Sequence, residues 1–248
     1  MVFTDTTHDI FLKGRLTIEQ PKQGFRSGSD AVLLAATAAA FPFKNAIEAG
    51  CGAGAALLSV QALCDDLSRQ LVGIEKDTAM AELAGKNVQA NGFETKIDVF
   101  VGDVLAPPSA LTSKFDLVFS NPPFFDDNGA IREPAPQRHA AFVLGAPLEA
   151  WIRGMLMLAA PKGRILLIHR AERLPDILNG LKGKAGDIGV FPVRSRAGEA
   201  AKRVIVCAQK GSRAPMRLLA GIDMHPPTGE GRFSAAYEAI CDGGVLLV

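Results

Sequence analysis

The feature that most constrains the fold of this chain is a series of short apolar runs that alternate with helix-forming segments. The runs are rich in β-branched and aromatic residues and are too short for confident helices, so they predict strands at 46–49, 70–74, 97–101 and 115–119. The intervening segments predict helices at 31–40, 55–64 and 78–90. This alternation predicts an α/β protein with a mostly parallel sheet and helices on both faces.

The ends of the chain complete this organisation. Residues 11–20 alternate apolar and polar around Gly14 and predict a small hairpin. After the central region we predict helices at 148–160 and 171–182 and strands at 164–168, 188–193 and 203–208. Pro161 to Gly163 is expected to separate the first of these helices from its strand. We expect one domain over residues 1–248, with 1–40 covering the core and 210–248 forming a tail of uncertain structure.

Composition excludes several classes of protein. The 248 residues are 48% hydrophobic, which excludes a disordered chain, and no apolar run reaches the ~18 residues of a membrane span. The polar start lacks the pattern of a secretory signal. The four cysteines form no C-x-x-C pair, and the four histidines show no metal-ligand spacing. We therefore expect a cytoplasmic protein with no membrane segment and no metal. The sequence carries no indication of an oligomeric state.

The candidate catalytic residues are Asn121, Pro122, Pro123 and Phe124, directly after the fourth predicted strand. The prolines lack an N–H donor and cannot continue the strand, so the chain leaves the sheet at Asn121. Open α/β sheets bind ligands at this carboxyl end. The Asn121 side-chain oxygen and the Pro122 carbonyl would form a fixed pair of acceptors, with the Phe124 ring beside them.

Such a pair of acceptors suits a planar amine. The exocyclic nitrogen of adenine is a poor nucleophile because its lone pair is delocalised into the ring. Two acceptors on its hydrogens would favour a pyramidal nitrogen, and an aromatic ring would hold the base by stacking. The alternative interpretation is that Asn-Pro-Pro only forms a turn at the end of a strand.

Glycines at 50, 52 and 54 follow the first central strand and precede a helix. This pattern is typical of a nucleotide-cofactor loop, and with Ala55 it also has the form of a dinucleotide site. Glu48 favours S-adenosylmethionine, because a carboxylate there would repel a pyrophosphate but attract a sulfonium or an ammonium. We expect Glu75 to accept the ribose hydroxyls, with Lys76 beside it, and Asp103 and Val104 to contact the adenine of the cofactor. The alternative interpretation is that these three acids only cap surface helices.

The net charge of +1 does not by itself indicate a nucleic-acid partner. Residues 190–217, however, contain a single acid, Glu199, and seven basic residues: Arg194, Arg196, Lys202, Arg203, Lys210, Arg213 and Arg217. Segment 125–145 lacks periodicity and contributes Arg132 and Arg138. A local basic surface neutralises phosphates even on a balanced chain. We predict RNA contacts at Arg132, Arg138, Arg194, Arg196, Lys202 and Arg203; a solvated face is the alternative.

The ordered set of Glu48 and the glycine loop, Glu75, Asp103 and the motif 121–124 resembles the class I S-adenosylmethionine-dependent methyltransferases of the N-P-P-[FY] type. The resemblance covers about residues 24–208. It implies a Rossmann-like, seven-stranded, mostly parallel sheet whose last strand is antiparallel, and Asn121 as a residue that also lines the cofactor site.

A narrower resemblance rests on residues 12–16, 20–21 and 28–34 and on the stretches 192–198 and 210–215. These are similar to the bacterial tRNA(Val) adenine-N6 methyltransferases, and they imply methyl transfer to the exocyclic amine of adenine in tRNA. Methyltransferases of ribosomal-RNA guanine and of protein glutamine carry close versions of the motif and stay as alternatives. A dinucleotide-dependent oxidoreductase and a non-catalytic RNA-binding module are more distant ones. The tail beyond Arg217 matches no pattern that we can assign.

Overall fold

The computed structural model describes residues 5–24, 26–64, 68–123, 148–228 and 232–248. The strands in these residues are β1 Thr6–Phe11, β2 Leu16–Pro21, β3 Asn45–Ala49, β4 Gln70–Glu75, β5 Ile97–Val101, β6 Phe115–Ser120, β7 Ala159–Arg170, β8 Ala185–Arg194, β9 Ala201–Lys210, β10 Arg217–Leu218 and β11 Ile222–Asp223. The α-helices are α1 Ser29–Ala40, α2 Ala55–Leu63, α3 Thr78–Ala90, α4 Leu148–Leu158, α5 Leu174–Leu181 and α6 Ala235–Cys241. None of these helices is long and apolar enough to cross a bilayer.

The central sheet has the strand order β10-β8-β9-β7-β6-β3-β4-β5, and β11 also pairs with β8. Strand β9 is antiparallel to β7 and β8, and the other pairings are parallel. The mostly parallel sheet with a late antiparallel strand is therefore confirmed. The seven longer strands are those predicted, and the two-residue strands β10 and β11 extend the sheet beyond β8.

Two hydrophobic cores form, one on each face of the sheet. The first contains residues of α1, α2 and α3, and the second contains residues of α4 and α5. Strand β3 contributes to both, because Ala46 belongs to the first core and Ile47 to the second. Alternate side chains of a strand point to opposite faces, so a strand buried on both faces is apolar throughout. This explains why the central strands were visible as continuous apolar runs.

Strand β7 begins earlier than the sequence indicates. We expected Pro161 to Gly163 to precede the strand, but β7 already begins at Ala159. The register with β6 is irregular here, since Phe115 faces Ala159 and Leu117 faces Arg164. An irregularity of this kind accommodates extra residues, including a proline, without ending the strand.

The N-terminal hairpin and the tail both pack against the central domain. Strands β1 and β2 pair from Thr6 to Pro21, which is longer than predicted. The Asn87 side chain on α3 accepts the Glu19 N–H at 2.8 Å and donates to the carbonyls of Glu19 and Ala53, both at 2.9 Å. In the tail, Arg15 donates to the Asp242 carbonyl at 2.8 Å. The tail is thus an ordered part of the fold in the residues described.

Candidate active site

The candidate site lies where the order of the sheet reverses. The chain builds the sheet from β3 outward through β4 to β5, and then returns to place β6 on the other side of β3. In an open α/β sheet, such a reversal leaves a crevice at the carboxyl ends of the two strands. Because β3 and β6 are parallel, with Glu48 facing Phe119, the residues after both strands meet at this crevice. The fold thereby brings the glycine loop next to Asn121.

The glycine loop adopts the backbone that its sequence requires. Gly50, Gly52 and Gly54 have φ values of +73°, +54° and +86°, in the left-handed region that favours glycine. The N–H groups of Gly50 and Cys51 both donate to the Ile74 carbonyl, at 2.8 and 3.1 Å. A Cβ on Gly54 would lie 2.8 Å from Leu58, so a side chain there has no room. The loop is therefore held close to the sheet, with Gly50 and Gly52 half-buried.

Glu48 is a carboxylate buried at the base of the crevice. Its side chain is only 3% exposed, and its Oε2 has no hydrogen-bond partner among the described residues. Burial raises the pKa of Glu48 well above its ordinary value; a hydrogen bond with the Leu57 backbone lowers it, and the charge of Glu75 raises it further. A buried carboxylate oxygen without a partner is costly unless a ligand supplies one. These residues fit a positively charged ligand group.

Glu75 ends β4 and faces the same crevice. Its Oε2 accepts the Gly52 N–H at 3.0 Å, and its Oε1 accepts the Asp77 N–H at 2.9 Å. Burial raises the pKa of Glu75, although hydrogen bonds with the backbone of Asp77, Gly52 and Lys76 oppose the shift. Each carboxylate oxygen has a further acceptor position, so Glu75 can accept two hydroxyl groups while it fixes the glycine loop.

Asp103 lies after β5 and is paired with Lys76. Its Oδ2 is 2.7 Å from the Lys76 Nζ, and its Oδ1 accepts the Leu105 N–H at 2.9 Å. Burial acts to raise the pKa of Asp103, but the hydrogen bonds from Lys76 and Leu105 and the charge of Lys76 outweigh it and lower the pKa. Asp103 is therefore ionised at neutral pH, with Val104 buried next to it. The structure brings the cofactor-binding residues predicted on β3, β4 and β5 to one edge.

The predicted acceptor motif follows β6 at the same edge. Asn121 and Pro123 are half-buried and Pro122 is buried. The Asn121 residue is thus not fully buried in the core. Phe124, Arg132 and Arg138 lie outside the described residues, so their predicted roles stay predictions.

Trp151, which the sequence analysis did not single out, joins the two halves of the crevice. Its Nε1 donates to the Ser120 Oγ at 3.0 Å, and the Ser120 hydroxyl donates to the Ala49 carbonyl at 2.6 Å. A Cβ on Gly50 would lie 2.7 Å from the Trp151 ring. A signal was present, because a tryptophan on an amphipathic helix needs a partner for its N–H when it is buried.

His169 is a second buried residue near the motif that the sequence analysis missed. It lies two residues beyond Leu167, which faces Ser120 on β6, so its place is beside the prolines. Burial lowers the pKa of His169 to about 4; the charges of Arg173, Arg170 and Arg203 lower it as well, and a hydrogen bond with the Pro123 backbone opposes them. The ring is therefore neutral at neutral pH and adds no positive charge behind the acceptor motif.

The predicted RNA-contacting residues that the structure describes lie at the same edge of the sheet as Asn121, on β8, on β9 and in their connection. Arg203 faces Arg170 at the carboxyl end of β7, and Arg194 ends β8 nearby. Two of the four predicted residues form internal ion pairs, Arg203 with Asp30 at 3.0 Å and Arg194 with Asp223 at 2.6 Å. Arg196 donates to the Pro226 carbonyl, and Lys202 is exposed.

The sheet order and the crevice at its reversal define this chain as a class I methyltransferase. Residues 22–141 match the family described as Methyltransferase small domain. The crystal structure of a predicted O-methyltransferase from Agrobacterium tumefaciens matches with a TM-score of 0.73 and 26% identity, over 88% of this chain and 99% of that one. The crystal structure of M. jannaschii TYW2 in complex with AdoMet matches with a TM-score of 0.56, over 83% of this chain and 85% of that one. At 10% identity this last match shows the fold alone.

The family within this class follows from a closer relative. A Porphyromonas gingivalis protein named tRNA1(Val) (adenine(37)-N6)-methyltransferase is 35% identical over 178 residues, which are 68% of each chain. This chain belongs to the tRNA1(Val) (adenine(37)-N6)-methyltransferase family, as the resemblance in its sequence implied. Within the described residues, no group of histidines, cysteines and acids is arranged to hold a metal ion.

Proposed function

We propose that this protein transfers a methyl group from S-adenosylmethionine to the exocyclic N6 of adenine 37 in tRNA1(Val). The observation that carries the proposal is that two groups meet at one crevice: the buried Glu48 carboxylate, whose Oε2 has no hydrogen-bond partner among the described residues, and the acceptor motif at Asn121. Membership of the family whose relatives bear that name supports the choice of substrate.

The residues around the glycine loop would hold the cofactor. Glu48 would accept from its ammonium group directly or through water, Glu75 would accept the ribose hydroxyls, and Asp103 would accept the amine of its adenine. When bound, S-adenosylmethionine supplies an electrophilic methyl group on a sulfonium. A dinucleotide suits this site less well, because the Glu48 carboxylate lies where a pyrophosphate would carry its charge.

The acceptor motif would bind the target amine. The Asn121 side-chain oxygen and the Pro122 carbonyl would each accept one of its hydrogens and so direct the nitrogen lone pair toward the methyl group. Phe124 would stack on a base turned out of the anticodon loop. The nitrogen would take the methyl group as its bond to the sulfur breaks, S-adenosylhomocysteine would leave, and the positively charged nitrogen would release one proton to water. Neither acceptor would change its protonation state, because both act by positioning and by hydrogen bonds to the developing charge.

An assay with separate substrate pools tests the proposal. Purified protein is incubated with radiolabelled S-adenosylmethionine and with tRNA, ribosomal RNA or protein, and the labelled product is identified by mass spectrometry. We expect N6-methyladenosine in tRNA1(Val). Methylguanosine in ribosomal RNA, methylglutamine in protein or a methylated oxygen would each contradict the proposal and identify the alternative.

Removal of the acceptor tests the role of Asn121. We expect Asn121→Ala to lower kcat on tRNA by on the order of 10² or more, because the variant loses a preorganised hydrogen bond to the reacting amine. The affinity for S-adenosylhomocysteine, measured by calorimetry, should stay within a few-fold. Asn179→Ala, at an exposed position of α5, is the matched control and should be fully active. A near-normal kcat for Asn121→Ala at saturating tRNA would refute the role.

A further inference from the structure

A second basic surface lies at the edge of the sheet opposite the candidate active site. Several basic side chains are exposed there in the described chain, and five of them define what we call the amino-edge basic surface: Lys114, Lys162, Lys182, Lys184 and Arg213. Lys162 precedes the part of β7 that pairs with β6 and β9, Lys182 and Lys184 lie between α5 and β8, and Arg213 follows β9. The basic stretch read from the sequence as one RNA-contacting region is thus divided between the two edges.

Backbone contacts hold the residues of this surface together. The Gln209 side chain donates to the Lys162 carbonyl at 3.1 Å, and the Gly211 N–H donates to the Lys184 carbonyl at 2.8 Å. The Lys114 N–H donates to the Leu158 carbonyl at 3.1 Å. Neighbouring strands are ~4.8 Å apart, so the basic side chains on β7 and next to β8 lie within about 10–15 Å of one another. That spacing matches several phosphates of one nucleic-acid strand.

Asp187 and Asp116 are acids at this part of the edge. Asp187 is bound by two arginines, Arg164 at 3.0 Å and Arg217 at 3.3 Å. Asp116 uses its Oδ2 to accept the N–H groups of Lys44 and Asn45, at 2.9 and 3.1 Å. Asp187 thus has more cations than it can balance, and the lysines around it remain available to an anion.

At the edge that carries the active site, several arginines are already paired with acids in the described residues. Arg203 pairs with Asp30, Arg194 with Asp223 and Arg173 with Asp176, each at 3.0 Å or less. Beside the glycine loop, Asp103 is paired with Lys76. Three arginines of this edge are therefore already balanced by acids, whereas Lys202 is exposed.

We propose that the amino-edge basic surface binds the phosphate backbone of the substrate tRNA outside its anticodon stem-loop, while the anticodon loop occupies the active site. This inference rests on the proposed function, which makes a tRNA the substrate. Strand β8 joins the two regions, with Lys184 just before its first residue and Arg194 at its last. Its ten residues span roughly 30 Å, about ten base-pair steps of a nucleic-acid duplex. A stem that follows the outer edge of the sheet reaches both regions.

Neutral substitutions at the amino-edge basic surface test the proposal. Lys182→Gln and Arg213→Gln each remove one exposed charge whose side chain makes no hydrogen bond or ion pair to a described residue. Lys86→Gln, at an exposed position of α3, is the one-charge control. The measurement is the Kd of the whole protein for full-length tRNA1(Val) and for its isolated anticodon stem-loop, over a series of salt concentrations.

We expect the double variant to bind full-length tRNA roughly tenfold more weakly at ~0.1 M salt, with a slope of log K against log salt reduced by about 1 for each charge removed. Its Kd for the stem-loop, its Kd for S-adenosylhomocysteine and its kcat at saturating tRNA should equal those of the unaltered protein. Lys86→Gln should leave every value unchanged.

Three outcomes would overturn the inference. Unchanged affinity for full-length tRNA would show that the surface does not contact it. Equal losses for tRNA and stem-loop would place the contact on the anticodon arm. Loss of binding to vesicles of anionic phospholipid, with tRNA affinity unchanged, would assign the surface to a membrane. Failure of the proposed function is distinguishable, because it appears as absent adenine methylation in the unaltered protein.

Discussion

At the scale of single residues, Trp151 is the side chain that connects the two binding regions of the site. Its indole N–H reaches Ser120, and Ser120 reaches the carbonyl of Ala49, so one chain of hydrogen bonds runs from α4 across β6 to β3. Ser120 directly precedes Asn121, and Ala49 directly precedes Gly50. The chain therefore sets the distance between the acceptor motif and the cofactor loop.

We expect Trp151→Phe and Ser120→Ala each to lower kcat by about 5–20-fold, because each breaks this chain and loosens the alignment of the reacting groups. Trp151→Phe keeps an aromatic ring over Gly50, so the KM for S-adenosylmethionine should change less than twofold. Steady-state kinetics of both single variants and the double variant make the measurement. A double variant no worse than either single one is expected if the residues act as a unit. If the fold-losses in kcat of the two single variants multiplied in the double variant, the two substitutions would instead be independent packing defects.

The positions of the candidate site residues were predictable where a sequence motif contains the functional group. Glu48, Glu75, Asp103 and Asn121 stand at strand ends in the sequence, and parallel strands bring their carboxyl ends together, so their meeting could be foreseen. The contacts of Trp151 and His169 could not, because each depends on the register between β6 and elements far along the chain. Ion pairs such as Arg203–Asp30, across 173 positions, are equally invisible to a local pattern.

At the scale of elements, Asn87 fastens the N-terminal hairpin and the glycine loop to α3. Its side chain is buried, and its three hydrogen bonds satisfy both backbone groups of Glu19 and the carbonyl of Ala53. Asn91, one turn further along the chain, makes the same pair of bonds to Thr17 at an exposed position. The two asparagines therefore provide similar contacts in different surroundings.

We expect Asn87→Ala to lower the free energy of unfolding by about 2–3 kcal/mol, because it leaves buried backbone groups without partners. Asn91→Ala should cost about 1 kcal/mol or less, since water replaces the lost contacts there. Urea denaturation followed by circular dichroism measures both values. If Asn87→Ala and Asn91→Ala lowered the free energy of unfolding equally, burial would not determine the size of the effect. A weaker affinity of Asn87→Ala for S-adenosylhomocysteine would further link Asn87 to the glycine loop.

The start of β7 shows why some element boundaries escaped prediction. A proline followed by glycine is a strong signal for the end of an element, and it favoured a break at 161–163. The strand instead continues through these residues, because an irregular register with β6 absorbs them. Tertiary pairing decided the boundary, whereas α3, with its Asp77 cap and the Asn91-Gly92 end, was bounded by local chemistry and matched its prediction.

For the whole molecule, the sequence predicted the sheet and the edge at which the candidate site residues meet, but not the distribution of charge. Residues 190–217 read as one basic stretch, yet β9 runs from one edge of the sheet to the other and carries Arg203 and Lys210 to opposite ends. A linear pattern contains no information about this separation until strand directions are known. The same reasoning applies to the tail, whose α6 contacts α1, β11 and residues 12–14, all distant in the sequence or invisible to a local pattern.

The buried carboxyl group of Glu48 makes the stability of the whole molecule depend on pH. The folded pKa of Glu48 is raised, so the folded state holds the proton more tightly than the unfolded state does. The contribution of this group to stability is therefore full below its ordinary pKa of 4.5 and is lost as pH rises toward the folded pKa. Glu48→Gln keeps the shape of the protonated side chain and has no proton to lose.

We expect unliganded Glu48→Gln to exceed the unaltered protein in free energy of unfolding by about 1 kcal/mol or more at pH 8, and to differ little at pH 4. The same variant should bind S-adenosylmethionine and S-adenosylhomocysteine at least about tenfold more weakly, because both ligands carry the ammonium that needs the carboxylate. Denaturation at several pH values and calorimetry give the two quantities, and Glu82→Gln, exposed on α3, controls for loss of charge alone. If only the affinity for S-adenosylmethionine were lowered, we would infer that the Glu48 carboxylate contacts the sulfonium and not the ammonium. If stability were unchanged at every pH and both ligands bound normally, Glu48 would have no part in holding the cofactor.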